Sequence, residues 1–390
     1  MDKKKRSLFL FLSVLLIIAS AGAESVTSSS PSLTPRPPDN GWERPIQPRD
    51  AWKAVGKDLI WGFCNMYQPC VVEVPEKEYR YEMWFFGWAA EDGNPNQPGC
   101  DAIYFARSKD LLKWEVYCGE AGWDRDMKPQ KWIPVVTASG RYYDEWHNGD
   151  PSVIWKDGTY YMAYSATSKP YYKKSKDHLD GMLLCIMGAT STDGIHWQKT
   201  PQPLLIEPKE VQEAESTSQS LCDFHRPSLM WDEGRWKLWF DYWVPGTGVC
   251  MGYAENDGAF DKPNGFQIRH VLGEPLIINW TNPSVIRVGN QYFSFADPPG
   301  FPPKDNSTPE GRNWSTRALC EAVSPDGINW KVIGFIAPDA DAAACHVPQA
   351  FSTTVNGQSW LYVFYSTQRG GSPVYDYRYD RIRAIKRQVK

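Results

Sequence analysis

The chain has 390 residues, 23% of them charged, with a formal net charge of −4, long enough to bury a substantial core in one large domain or two smaller ones. No basic run follows Arg6, so composition excludes nucleic acid as a partner. The 19 Trp and 20 Tyr suit pleated strands, and they also suit sugar faces, because indole and phenol rings offer an apolar plane with a polar handle.

In chain order, residues 1–23 read as a secretory signal. Lys3-Lys4-Lys5-Arg6 precedes the apolar run Leu8 to Ala19, and Ala19-Ser20-Ala21 and Ala21-Gly22-Ala23 offer small-residue cleavage sites. The apolar run is short for a bilayer span, so the expectation is a secreted or periplasmic protein with no membrane association after cleavage. Residues 24–50, rich in Ser and Pro, read as a leader, and 51–390 as the folded domain. In an exported chain the nine cysteines can form disulfides. Cys64, Cys70, Cys100 and Cys118 are close enough in sequence for local bridges, and free buried thiols are equally compatible. No C-x-x-C pair supports a zinc cluster.

Internal repetition then organises the chain. Five segments run from a polar or turn-like residue through Pro into an apolar strand: Gln68-Pro69-Cys70-Val71-Val72, Asp150-Pro151-Ser152-Val153-Ile154, Arg226-Pro227-Ser228-Leu229-Met230, Asn282-Pro283-Ser284-Val285-Ile286 and Val347-Pro348-Gln349-Ala350-Phe351. A short turn and an aromatic strand follow each, as in Asp157-Gly158 before Tyr160-Tyr161-Met162-Ala163-Tyr164, the pattern of a hairpin. A second motif marks the third strand: Ser191-Thr192-Asp193-Gly194-Ile195-His196-Trp197 and Ser324-Pro325-Asp326-Gly327-Ile328-Asn329-Trp330, with a weaker copy at Asn256-Asp257-Gly258. Asp193, Asp257 and Asp326 read as turn formers. Two motifs recurring in fixed order predict an all-β, five-bladed β-propeller with about four antiparallel strands per blade, rather than two stacked sandwiches.

The segments Asp150 to Tyr161, and Ser191 to Trp197 with Pro203-Leu204-Leu205, resemble the blades of the five-bladed glycoside hydrolases, families 32, 43, 62, 117 and 130, over roughly residues 58 to 369. The resemblance implies binding or cleavage of glycosides at a central funnel where the inner strands begin. In families 32 and 43 it implies a carboxylate ahead of the first-blade Pro, where this chain has Gln68. The second-blade Asp, a stabilising and orienting group, is matched by Asp150. The acid, a Glu two positions before the third-blade Pro, is replaced by His225.

Cleavage needs a proton donor and a carboxylate that attacks or activates water, and a His can donate that proton. His147, His225 and His346 all precede repeat prolines. His346 first and His225 second are therefore expected as the acid, as in family 117 by resemblance, with Asp150 as base or stabiliser. Asp297, at the start of a Pro-rich loop, is a further catalytic candidate, with Glu145 and Glu215 behind it. Gln68, Trp146, His147, Arg226, Asn282 and Gln349 are expected to bind substrate; Arg226 either pairs with a funnel carboxylate or takes a sugar carboxylate or sulfate. Trp61, Trp123, Trp280 and Trp314 lie near strand connections, as sugar platforms or as plugs between blades. The loop Pro298 to Trp314 is expected to wall the funnel and favour chain-end action. No cofactor is required and no metal ligands are assigned; Ca²⁺ on Asp150 with carbonyls and waters stays open. Three functions follow: a hydrolase of plant or algal oligosaccharide or polysaccharide, a non-catalytic carbohydrate-binding propeller, and a glycoside phosphorylase.

Overall fold

The computed structural model describes residues 44–63, 65–88, 101–168, 184–206, 224–244, 247–298, 317–337, 342–369 and 380–389. The signal, most of the leader, Cys64, Cys100, Glu215 and the loop to Trp314 lie outside them. The described residues form five small sheets and no α-helix, a five-bladed β-propeller.

Blade I is built from Asn65–Glu73, Tyr81–Trp88, Asp101–Ser108 and Trp114–Tyr117, with a short Trp123–Asp124 strand at its edge. Blade II runs through His147–Lys156, Thr159–Thr167, Leu184–Ser191 and Gln198–Lys199. Blade III comprises His225–Asp232, Arg235–Val244, Gly248–Asn256 and Gln267–Ile268. Blade IV comprises Ser284–Val288, Gln291–Ala296, Cys320–Ser324 and Lys331–Ile336, and blade V Ala342–Val355, Gln358–Arg369 and Arg381–Val389. The outer strands that blade V lacks come from the N-terminal side: Lys53–Ala54 and Ile60–Trp61 pair with Arg381–Val389, while Ile46–Gln47 adds a parallel strand to blade IV. Residues 44–50, assigned to the leader by composition, therefore belong to the propeller. Arg44 anchors them, donating to the Ile278 carbonyl at 3.0 Å beneath the face of Trp280.

The repeated residues account for the assembly. The residue after each repeat Pro ties its blade to the next: Val153 N–H meets Cys70 Sγ at 3.1 Å, and Leu229, Val285 and Ala350 N–H donate at 2.8 Å to the hydroxyls of Ser152, Ser228 and Ser284. Asp193 and Asp326 do form turns, each accepting two backbone N–H bonds through one oxygen. The turn carbonyls of Gly194 and Gly327 each accept two indole N–H groups, one from the local Trp197 or Trp330 and one from Trp84 or Trp239 of the preceding blade. Trp84 and Trp239 are thus spent between blades. Cys70, Cys118, Cys185, Cys250, Cys320 and Cys345 are free and buried, so for Cys70 and Cys118 the free-thiol alternative is the one realised.

Candidate active site

All five residues that precede the repeat prolines, Gln68, Asp150, Arg226, Asn282 and Val347, have positive φ between 48° and 54°. That conformation is uncommon outside glycine and is an outlier for a β-branched residue such as Val347. Its cause is a bulge. In blades I, II, III and V the pre-proline residue and its Pro oppose a single residue of the second strand, and Pro has no N–H to lose there. The bulge turns the pre-proline backbone out of the ladder at the inner end of each blade. Strain held in register across several blades is characteristic of functional sites.

Asp150 is buried. One carboxylate oxygen, Oδ2, lies 3.2 Å from His225 Nε2, whereas Oδ1 has no partner. Burial pushes the Asp150 carboxyl above its ordinary range, Arg226 and Ser165 oppose the rise, and Asp101 adds to it. Burial, with Arg226 and His147 nearby, pushes His225 well below the usual imidazole range. Ser165 also accepts the Arg226 backbone N–H at 2.8 Å. His147 Nδ1 is 2.6 Å from Asp101 Oδ1. Gly149, between His147 and Asp150, packs its backbone on the Phe86 ring, which a Cβ would meet at 2.5 Å; Phe86 stacks in turn on Tyr67 at 4.1 Å.

Arg226 donates to Asp241 Oδ2 at 3.1 Å, and the same oxygen accepts the Asn282 backbone N–H at 2.9 Å. Burial works against the Arg226 charge, but Asp241 and Asp150 hold it protonated. The pairing reading of Arg226 is therefore the one realised. Asp297 is held by Thr281 at 3.1 Å, by the Asn282 amide, and by Arg317 at 3.3 Å. With both oxygens occupied it can hold a field, and it is poorly placed to attack or take up a proton.

The blade V and blade I wall differs. His346 Nε2 is buried without a partner, and burial lowers the ring to about 4, Asp297 pulling up and Arg317 pushing down. Both amide atoms of Gln68 and the Gln349 amide nitrogen are likewise buried and unpartnered, as are Asn282 Oδ1 and Trp146 Nε1. Gln349 occupies the position that in the other four blades ties one inner strand to the next.

The sequence-predicted residues Asp150, His147, His225, Arg226, Asn282 and Asp297 thus come together through contacts or shared fields, and His346 feels Asp297 and Arg317. Glu145 is half-buried on the loop before Trp146. Trp123 packs under Arg107 at 3.6 Å, Trp280 is fully buried and Trp61 lies on an outer strand; none of them is a funnel platform. Sequence reasoning missed Asp101, Ser165, Asp241 and Arg317, of which only Ser165 lies in a repeated motif, at the end of the aromatic strand Tyr160 to Ser165. The one available signal was Asp241 itself, a carboxylate inside the aromatic strand Trp239-Phe240-Asp241-Tyr242-Trp243. Among the described residues no group of three or more His, Cys, Asp or Glu could hold a metal ion.

No family model and no curated protein sequence matches this chain. Solved structures do share its fold. BT0996, solved as an RGII complex, matches with a TM-score of 0.58 at 15% identity, over 86% of this chain and 91% of that one. Zg3597, a family 117 glycoside hydrolase of the marine bacterium Zobellia galactanivorans, matches with a TM-score of 0.56 at 14% identity, over 86% and 90%. The catalytic domain of the Coprinopsis cinerea GH62 α-L-arabinofuranosidase matches with a TM-score of 0.54 at 12% identity, over 87% and 96%. At such identities the likeness concerns the five-bladed fold.

Proposed function

We propose that this chain is a secreted glycoside hydrolase acting on a plant or algal oligosaccharide or polysaccharide at the propeller funnel. The observation that carries the reading is a buried carboxyl, Asp150, with one oxygen 3.2 Å from His225 Nε2 and the other unpartnered, while Gln68 and Asn282 at the equivalent pre-proline positions, and His346 and Gln349 flanking Val347-Pro348, also carry unpartnered buried polar atoms. Buried polar groups are ordinarily satisfied, so a cluster of exceptions calls for a ligand rich in hydroxyls. Glycoside hydrolases among the structures of like fold, and the RGII complex among them, support a carbohydrate in that place. The lysine-led apolar N-terminus supports export.

The environments favour a division of roles different from the one expected from sequence. Asp150, whose carboxyl burial shifts upward, is read as the acid, with Oδ1 as its unpartnered oxygen. Neutral His225 fixes the other oxygen. His346 at about 4 is neutral near pH 7 and about as basic as an ordinary carboxylate, so it suits the base and not the acid. The water oxygen bonds to the anomeric carbon as His346 Nε2 takes one of its protons. The glycosidic C–O bond breaks as Asp150 gives its proton to the leaving oxygen, and solvent returns the proton from His346 to Asp150. Pairs whose environments push them apart in acidity are how acid and base are told apart.

Phosphorolysis fits less well, because Arg226 and Arg317, the two funnel arginines among the described residues, are already matched by Asp241 and Asp297. The test is turnover of a broad panel of plant and algal oligosaccharides by the mature protein, beside Asp150→Asn and His346→Ala variants of verified fold. Product formation that both substitutions suppress supports the assignment. Sugar binding without turnover in any of the three proteins would establish a non-catalytic carbohydrate-binding propeller instead.

A further inference from the structure

Along the second strand of blade III, Arg235–Val244, side chains alternate between two faces. Trp239, Asp241 and Trp243 share the face toward blade IV. Trp239 is fully buried, 6.1 Å from the Tyr292 ring, and donates to the Gly327 carbonyl at 2.8 Å. Asp241, next along, is buried and holds Arg226 together with the Asn282 backbone. Trp243 follows about 7 Å further along the strand and is 53% exposed.

The three residues therefore lead from core to site to solvent. The exposed indole is not serving the fold: among the described residues Trp243 has no ring, cation or hydrogen-bond partner. The other exposed indoles are different. Trp231 is capped by Lys156 at 4.7 Å and packs on Trp236 at 4.8 Å, and Trp61 lies on the outermost strand of blade V.

We propose that Trp243 is the stacking platform of an outer subsite, taking the pyranose ring next to the one held at Asp150 and Arg226. The ligand is then an oligosaccharide of at least two units leaving the funnel over the rim between blades III and IV. An aromatic face gives such a ring apolar contact without demanding one pattern of hydroxyls, which suits a chain that must slide outward. The inference rests on the glycoside reading of the funnel.

The experiment uses the full mature protein carrying Asp150→Asn, so that ligands are bound and not consumed. Pectic and algal galactan oligosaccharides of one to six units are titrated calorimetrically, with and without Trp243→Ala or Trp243→Phe. Affinity is expected to rise between one unit and two or three. Trp243→Ala is expected to remove about tenfold of that gain, Trp243→Phe to keep most of it, and the monosaccharide to be unaffected by either. A gain with length that survives Trp243→Ala overturns the platform and leaves the funnel reading intact. Failure of every sugar to bind a folded protein overturns both. Because Trp243 is exposed, its replacement leaves thermal unfolding unchanged, which separates a lost platform from a lost fold.

Discussion

The two walls of the funnel are built from the same bulged turn, yet they finish differently. On blades II and III each ionisable group has a partner: His147 with Asp101, His225 with Asp150, Arg226 with Asp241. On blades V and I the corresponding positions carry Gln68, His346 and Gln349, neutral groups whose buried polar atoms stand open. A closed wall fixes charge in place, and an open wall is completed by what enters it. Asp150 lies at the seam, with Oδ2 close to His225 and Oδ1 without a partner.

The sharpest way to break the comparison is Asp150→Asn. Turnover should fall about 1,000-fold or more, within the range for losing a general acid, while oligosaccharide affinity in calorimetry stays within a few-fold. The same variant should unfold at a higher temperature than the parent at pH 7. A buried carboxyl shifted upward makes the fold less stable as pH rises past the unfolded carboxyl range, whether it keeps its proton or ionises, and Asn removes that cost while keeping the shape. A variant that loses both activity and stability would make Asp150 a structural strand cap.

His346→Gln comes next, with turnover expected to fall about 100-fold. The pH profile separates a base from a mere contact. In the parent, activity should climb as pH passes about 4, where His346 loses its proton, and decline as Asp150 ionises. In the variant the limb near 4 should be missing. If that limb remains, His346 is not the base.

The same group links stability to pH. An unfolded His binds its proton near 6.5 and His346 in the fold only near 4, so the unfolded state takes up protons first. Its contribution is complete above pH 6.5 and is lost as pH falls toward 4, by about 3 kcal/mol. Urea unfolding at pH 7.5, 6 and 5 should show that slope, and His346→Gln should flatten it.

How much was legible in the sequence follows from where the repeats lie. The blades could be read because turn, aromatic strand and Asp-Gly-x-x-Trp recur in fixed order, and each piece has a local physical job. The funnel positions could be read because Pro marks the bulge. Asp101, Ser165, Asp241 and Arg317 sit on second and third strands or connections, where a partner is defined only once blades meet. The shifts of Asp150 and His346 depend on burial, which residue identity does not carry. The leader boundary was misread for the same reason, since Ile46 and Gln47 find their strand on blade IV, far along the chain.

The smallest effect probes the two walls most directly. In four blades the residue after Pro accepts the N–H two positions beyond the next blade's Pro, through Cys70, Ser152, Ser228 or Ser284. Gln349 holds the fifth such position, for which the repeat makes Val71 N–H the counterpart, and its amide nitrogen is unpartnered. Replacing Gln349 by Ser should let a hydroxyl accept the Val71 N–H, adding about 1 kcal/mol of stability in urea unfolding, the usual net value of one hydrogen bond. Oligosaccharide affinity should fall at the same time, because the open wall loses a donor. Ser228→Ala is the counterpart on the closed wall. It strands the buried Val285 N–H and should cost about 1–3 kcal/mol with affinity unchanged. If Gln349→Ser instead costs stability and spares binding, Gln349 is a tie between blades after all, and the open wall is narrower by one residue.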